Sequence, residues 1–340
     1  MSEPAPPTSP HSFVPPKPVG PRDSGDGWVE DGSGRRFWGR FGAAGLLAHD
    51  GERGILLQHR ANWSHFGGTW GLPGGARHHD ETSVQGAIRE AHEEAGVPSE
   101  SLTLKFTSTL DLGFWSYTTV VVDVATPFDA VIADAESIEM RWVPIDEVAD
   151  LPLHPGFESA WPALKTELTR GTVVVVDAAN VVGSKPNGWW KDRLGATETF
   201  ATALAARALQ GIPGGALGIE HPGSTWWPSV LLVVEGQAKS VEIGIEVDVE
   251  VNAEADARPS VPALAHEIAA ALSIVRAEHD GDQAIVDTVQ GLFETPGTLA
   301  APRVVVVTAD RGLRSRVEAL GALVRGPGWL WELLDDDHGR

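Results

Sequence analysis

The sequence has no cysteine, one tyrosine and two methionines among 340 residues. Without thiols there can be no disulfide, thiolate nucleophile or cysteine-type zinc site. No apolar run reaches the ~18 residues of a membrane-spanning helix. The N-terminal MSEPAPPTSPHSF lacks the basic start and apolar stretch of a secretory signal, so a cytoplasmic enzyme or binding protein is the expectation. Positive charge is also scarce: 26 lysines and arginines stand against 47 aspartates and glutamates, for a net charge of −21. Residues 1–170 carry 13 basic and 24 acidic side chains, residues 171–340 carry 13 and 23. Neither half offers the broad basic footprint of a nucleic-acid binder. Small phosphorylated substrates carried with a divalent metal remain compatible, because carboxylates bind the metal.

What is present is an ordinary globular composition, 42% hydrophobic and 21% charged, in a chain long enough for two domains. Thirteen tryptophans mark a compositional bias from which no function follows. Residues 1–34 are expected to form a disordered tail, since eight prolines fall within the first 21 positions and little apolar surface is available for burial. A first domain is expected over 35–170. FWGRFGAAGLLAHD and GILLQHR read as strands joined at Asp50-Gly51. A glycine-rich loop, HFGGTWGLPGGARHHD, leads into a helix from about Glu81 to Ala95, with Gly96 at its C-cap. LTLKFTSTLDLGFWSYTTVVVDVA reads as paired strands, and a helix near 158–169 closes the domain. A second domain is expected over 171–340. Its TVVVVDAANVVG reads as a strand from Val173 to Val182, covered on both faces as in a parallel sheet. Strands and helices then alternate, implying a doubly wound α/β sandwich. VEIGIEVDVEV (241–251) reads as an edge or inserted strand with exposed carboxylates, with a metal-binding ladder as the alternative.

The densest chemistry lies in GARHHDETSVQGAIREAHEEAGV, Gly75 to Val97. On a helix, Glu90, Glu93 and Glu94 project from one face at i, i+3 and i+4. Like charges so placed destabilise an isolated helix by ~0.2–0.5 kcal/mol per pair, and a hard divalent cation with oxygen ligands reverses that penalty. The spacing of Gly75, Glu81, Arg89-Glu90, Glu93-Glu94 and Gly96 resembles the Nudix hydrolase box, with Ala91 standing where the family prefers a larger aliphatic residue. The resemblance implies an α/β/α sandwich that hydrolyses a nucleoside diphosphate linked to another group. It implies that Glu93 and Glu94 ligate Mg2+ or Mn2+, that Glu90 ligates metal or deprotonates the attacking water, and that Gly75 offers its carbonyl to the metal. Glu81 and Arg89 would form a structural ion pair. Glu136 or Glu139 could supply a further ligand or base. Arg60, Trp70, His65, His78 and His79 lie near the loop, where phosphate or base contact and plain loop packing are both open; Trp70 reads better as core.

In the second half, Asp177, Asp282 and Asp310 are expected near the carboxyl ends of strands, where doubly wound sheets gather functional groups. With Asn180, Thr308 and Arg311 they resemble a PIN/NYN-type domain. That resemblance implies a metal-dependent RNA nuclease, with Asp280 or Glu235 as a fourth acid. Lys185, Trp189, Trp190, Lys191 and Arg193 would then screen and stack single-stranded RNA. Helix capping by Asp177 and Asp310 is the structural alternative. Three readings of the chain therefore stand: a pyrophosphohydrolase, an RNA nuclease, or a nucleotide sensor without turnover.

Overall fold

The computed structural model describes residues 24–186, 188–221, 224–241, 272–295 and 300–335. The expected strand over 241–251 lies outside them apart from its first residue. The chain opens with a hairpin, β1 (Trp28–Glu30) and β2 (Arg36–Trp38), in which Trp28 sits opposite Trp38. This corrects the expectation of a disordered tail reaching residue 34. Proline density ends at Pro21, and Asp31 then organises a turn: its Oδ1 accepts from the Ser33 and Arg35 amides at 2.8 and 2.9 Å.

Next come β3 (Ala43–Asp50), β4 (Gly54–Arg60), β5 (Trp70–Gly71), β6 (Gly74–Ala76) and α1 (Ser83–Ala95). They are followed by β7 (Leu102–Asp111), β8 (Ser116–Val124), β9 (Ser137–Val143) and α2 (Pro155–Leu168). β3 pairs in parallel with β8 and antiparallel with β4 and β6, giving a mixed sheet. Side chains on β3 alternate between its faces. Ala44, Leu46 and Ala48 pack with Ala87, Ala91 and Ala95 of α1. Leu47 packs in the opposite core, with Phe157, Trp161, Leu164 and Leu168 of α2. The result is an α/β/α sandwich in which small alanines let α1 lie close to the sheet.

The second half comprises β10 (Thr172–Asp177), α3 (Ala178–Gly183), α4 (Arg193–Gln210), β11 (Ile212–Pro213), β12 (Thr225–Trp226), β13 (Ser229–Val234) and β14 (Leu272–Arg276). It ends with α5 (Gly281–Glu294), β15 (Arg303–Val307), α6 (Arg311–Ala319), β16 (Leu323–Arg325) and α7 (Pro327–Asp335). Five parallel strands run in the order β14-β13-β10-β15-β16. Val174 and Val176 of β10 face α3, α4 and α7, whereas Val173 and Val175 face α5 and α6. Both faces of the valine run are thus covered.

The expected strand to Val182 stops at Asp177, because the Asp177 side chain accepts the Asn180 amide at 3.0 Å and starts a helix. The short β11–β12 hairpin crosses over to pair with β7 of the first sheet, setting Trp226 opposite Phe106. Their rings stack at 4.4 Å, and both are fully buried in a core that draws on both halves of the chain. Among the described residues no helix is long and apolar enough to cross a membrane.

Candidate active site

The carboxylate helix α1 is fixed at both ends by local chemistry. Thr82 and Gln85 form a reciprocal capping box, the Thr82 Oγ1 accepting the Gln85 amide and the Gln85 Oε1 accepting the Thr82 amide. Gly96 closes the other end in the left-handed conformation, φ 65°. Between them, Arg89 acts as a hub. Its Nε and Nη2 donate to the two Glu81 oxygens at 2.6 and 3.0 Å, and Nη2 also donates to the Ala76 carbonyl at 3.0 Å. Its Nη1 donates to Glu90 at 2.9 Å and to Glu93 at 3.2 Å. Arg89 thus ties the loop to the helix and aligns two of the three glutamates. Burial works against the Glu81 charge, but the Arg89 bonds and the His78 amide hold its carboxyl below the usual range.

Glu90 lies against Gly75 of β6. A Cβ at Gly75 would stand 2.7 Å from the Glu90 carboxyl group, so a side chain there would push the carboxylate from its present position. Burial, opposed by Arg89 and reinforced by Glu93 and Glu81, pushes the Glu90 carboxyl up to about 7. Glu93 is the outermost of the three, with 55% of its side chain exposed. Glu94 is the innermost, at 8% exposure, and accepts the Gly74 amide at 2.8 Å. Burial first, then the neighbouring Glu90, holds the Glu94 carboxyl well above its ordinary value.

Glu94 also meets two acids from the irregular segment after β8. The Val131 and Ala133 amides donate to the Ala95 and Glu94 carbonyls at 3.1 and 3.0 Å, which brings that segment onto the end of α1. Oxygens of Glu94, Asp134 and Glu136 consequently lie within 4.8 Å of one another, the one such acidic group among the described residues. Burial raises the Glu136 carboxyl, and Asp134 and Asp26 raise it further, while Arg60 opposes both shifts at Glu94 and Glu136. Hard oxygen donors at this density, each destabilising the ionised form of its neighbours, suit a divalent cation.

Of the two glutamates singled out in the sequence, Glu136 is therefore in the cluster. Glu139 instead sits on β9 opposite His59, 3.7 Å from Arg141. Asp134 was not singled out at all; its only signal is the acidic i, i+2 pair with Glu136. Trp70 is buried and stacks on His59 at 4.6 Å, as a core residue would. His78 faces Glu81 at 3.3 Å, and exposed His79 pairs with Asp80 at 2.6 Å.

The second group of acids sits at the carboxyl edge of the parallel sheet. Asp177 accepts from the Asn180 amide, the Asn180 Nδ2 at 2.9 Å and the Thr308 Oγ1 at 2.8 Å. Asp310 caps α6 through the Leu313 amide at 2.7 Å. Asp282 is not a strand end but lies in the first turn of α5, which Asp280 caps. Glu235 accepts the Gly281 amide at 3.0 Å. Burial raises the Asp177 carboxyl despite these bonds. Burial also raises Asp282, as do the charges of Asp310, Asp177 and Asp280. The acids share a field, yet among the described residues no three bring their oxygens within 4.8 Å. Nearby, Trp190 is 57% exposed, the Lys185 ammonium lies 3.8 Å over the Trp331 ring, and Arg193 lies over Trp189.

A helix bearing three glutamates, tied by arginine to a glycine-rich strand of a mixed sheet, is chemically suited to a divalent cation and the phosphates it would accompany. The NUDIX domain family model matches residues 39–164. "Putative 8-oxo-dGTP diphosphatase 3" of Mycobacterium tuberculosis is 53% identical over 155 residues, covering 43% of this chain and 71% of the relative. The chain belongs to the Nudix family and is a Nudix-type pyrophosphohydrolase. A "Nucleoside triphosphate pyrophosphatase/Nudix hydrolase fusion protein" of Bifidobacterium longum is 37% identical over 166 residues, covering 46% of this chain and 34% of that protein. A crystal structure of a Nudix hydrolase from M. smegmatis, RenU, is 53% identical, covering 42% of this chain and 94% of that one, with a TM-score of 0.39.

Proposed function

We propose that this protein hydrolyses the pyrophosphate linkage of a nucleoside triphosphate with Mg2+ or Mn2+, using Glu90, Glu93 and Glu94 together with Gly75. The observation that carries the reading is Glu94: a buried carboxylate whose oxygen shares a 4.8 Å neighbourhood with Asp134 and Glu136. Glu93, Glu94 and the Gly75 carbonyl would hold the cation, with Glu136 and Asp134 beside them. When bound, it neutralises phosphate charge and lowers the pKa of the attacking water.

The chain's own residues do the rest. Glu90 takes the water proton as the oxygen–phosphorus bond forms, and the bridging P–O bond breaks with its electron pair leaving on the departing phosphate. Arg89 keeps Glu90 and Glu93 aligned, and Glu81 holds Arg89. The 8-oxo-dGTP in the name of the M. tuberculosis relative puts oxidised triphosphates first among substrates.

The test is a panel of nucleoside triphosphates, oxidised triphosphates, dinucleotide polyphosphates and nucleotide sugars, scored by the phosphate species released with Mg2+. Glu93→Gln and Glu94→Gln should each lower turnover by about 10²–10³-fold or more. Wild-type phosphate release by both variants overturns the assignment, and tight nucleotide binding without product over hours would make the domain a sensor.

A second reading, metal-dependent cleavage of single-stranded RNA by a PIN/NYN-like unit over 171–340, is favoured by the shared field of Asp177, Asp282 and Asp310. Equal cleavage of labelled RNA by wild type and an Asp177→Asn, Asp310→Asn variant removes it.

A further inference from the structure

We propose that the N-terminal hairpin and the loop after β4 form an aromatic platform, Trp28, His65 and Phe66, on which the base of the nucleotide substrate stacks. The inference rests on the nucleotide-hydrolase reading of the adjacent carboxylate site and assigns that site its base-binding surface.

Alternation along the hairpin separates two faces. Phe37 points inward against Phe114 and Trp115, at 5.6 and 4.7 Å, and the Trp115 Nε1 donates to the Trp38 carbonyl at 3.0 Å. The hairpin is thereby clamped to the turn between β7 and β8. On its other face Trp28 and Trp38, 41% and 39% exposed, meet edge to face at 5.3 Å. From Trp28 the rings continue edge to face, to His65 at 5.4 Å, on to Phe66 at 4.3 Å and then to His154 at 4.8 Å, so that each exposed ring offers its own face. A contiguous patch of large exposed rings marks a binding surface.

The backbone gives an independent observation. Phe66, 45% exposed, is the one non-glycine residue with positive φ among the described residues, at 55°. A bulky side chain in that region is strained and persists only where the surroundings enforce it, as happens at ligand sites. Here the loop is fully tied: the Thr69 Oγ1 donates to the Phe66 carbonyl at 2.6 Å, and the Gly67 and Gly68 amides donate to Ser64 and Arg60. The Phe66 ring stays exposed within this bonded loop.

Arg60 joins this platform to the carboxylates. Its Nε donates to the His65 carbonyl at 3.1 Å, its backbone lies opposite Ser137 of β9, and the next amide, Ala61, donates to the Glu136 carbonyl at 2.7 Å. The Arg36 guanidinium, 5.0 Å over the Trp28 ring, completes a surface that is aromatic, cationic and continuous with the acids that would handle the phosphates. A planar base attached to a polyphosphate matches that layout, since every base has a π-face to stack.

The experiment is calorimetry on the full chain with Mg2+, using a non-hydrolysable purine nucleoside triphosphate and, as a base-free control, inorganic tripolyphosphate. Trp28→Ala and Phe66→Ala should each weaken nucleotide binding by about 5- to 100-fold, with Trp28→Phe restoring most of it and tripolyphosphate affinity unchanged throughout. Nucleotide binding by Trp28→Ala and Phe66→Ala equal to wild type overturns the platform, as does an equal loss toward tripolyphosphate. Wild type that binds neither ligand overturns the underlying hydrolase reading and the platform with it.

Discussion

Two acidic clusters lie at the edges of two sheets in this chain, and they solve the same electrostatic problem differently. At the second sheet four of the acids have a donor built in, while the Asp282 carboxyl is raised by burial and by the charges of its neighbours. Asp177 takes two donors from Asn180 and one from Thr308, while Asp310, Asp280 and Glu235 each take a backbone amide. Helix N-termini are suited to that service. At the first sheet Glu94 is as deeply buried, yet accepts a single amide, from Gly74, and has Asp134 and Glu136 within 4.8 Å. Asp177, Asp310, Asp280 and Glu235 are thus compensated from within, whereas the trio at the first sheet draws on the Gly74 amide and, at Asp134, on the Ser137 hydroxyl at 2.7 Å. Acidity alone therefore does not distinguish the two clusters; the supply of internal donors does.

If the two regions are separable they should unfold independently, and the largest expected effect tests this. Trp226, carried on a hairpin from the second half, fills the first half's core against Phe106, and the Arg303 guanidinium lies 5.3 Å over its ring while pairing with Glu167. Trp226→Ala should lose about 3–5 kcal/mol. It should do so in a single unfolding transition, read by denaturant titration with both near-UV and far-UV signals. Two separated transitions in the wild type would show that the halves unfold independently.

A smaller pair of effects should have opposite signs. Asp177→Ala removes a cap and two side-chain bonds and should cost about 2 kcal/mol, with nucleotide hydrolysis intact. Glu94→Gln should stabilise the metal-free protein at pH 8. The Glu94 carboxyl is held above its ordinary 4.5 in the fold, so the unfolded chain ionises first and the wild type loses stability as pH rises past that value. Added Mg2+ should then raise the melting temperature of the wild type and not of Glu94→Gln. Destabilisation by both substitutions would erase the contrast drawn above.

Much of the first cluster was legible because its signals are local. Thr82, Gln85 and Gly96 set the ends of α1, and the i, i+3 and i+4 spacing of its glutamates fixes their common face. The valine run of β10 likewise announced a strand covered on both sides. What escaped was non-local. Asp134 reaches Glu94 only because the amides of an irregular segment bond the last carbonyls of α1, and nothing in its spacing encodes that. The pairing of β12 with β7 joins Trp226 to Phe106 across more than a hundred residues without a periodic cue. The Trp28–Trp38 hairpin was hidden by the proline-rich stretch before it, although Asp31, Ser33 and Arg35 form a recognisable turn.

The smallest expected effect concerns the cation that serves the first cluster. His154 caps α2 by accepting the Gly156 amide on Nδ1 at 3.2 Å, a bond only the neutral ring can make. Burial, then the charges of Arg60 and His65, lowers its pKa from the ordinary 6.5 to about 4. Between those values the unfolded chain binds a proton that the folded chain refuses. This contribution is therefore complete above pH 6.5 and declines as pH falls toward 4. His154→Asn keeps an acceptor at the cap and removes the titration, so the wild type should lose on the order of 1 kcal/mol relative to the variant between pH 7 and pH 5, after allowance for the ring's partial exposure. Urea midpoints at the two pH values measure it. Because Arg60 supplies part of the shift, Arg60→Met should shrink the difference while making Glu94 and Glu136 harder to ionise. Parallel pH dependence in wild type and His154→Asn would mean that the fold does not hold the ring neutral, and a difference undiminished by Arg60→Met would mean that Arg60 does not project its charge across the site.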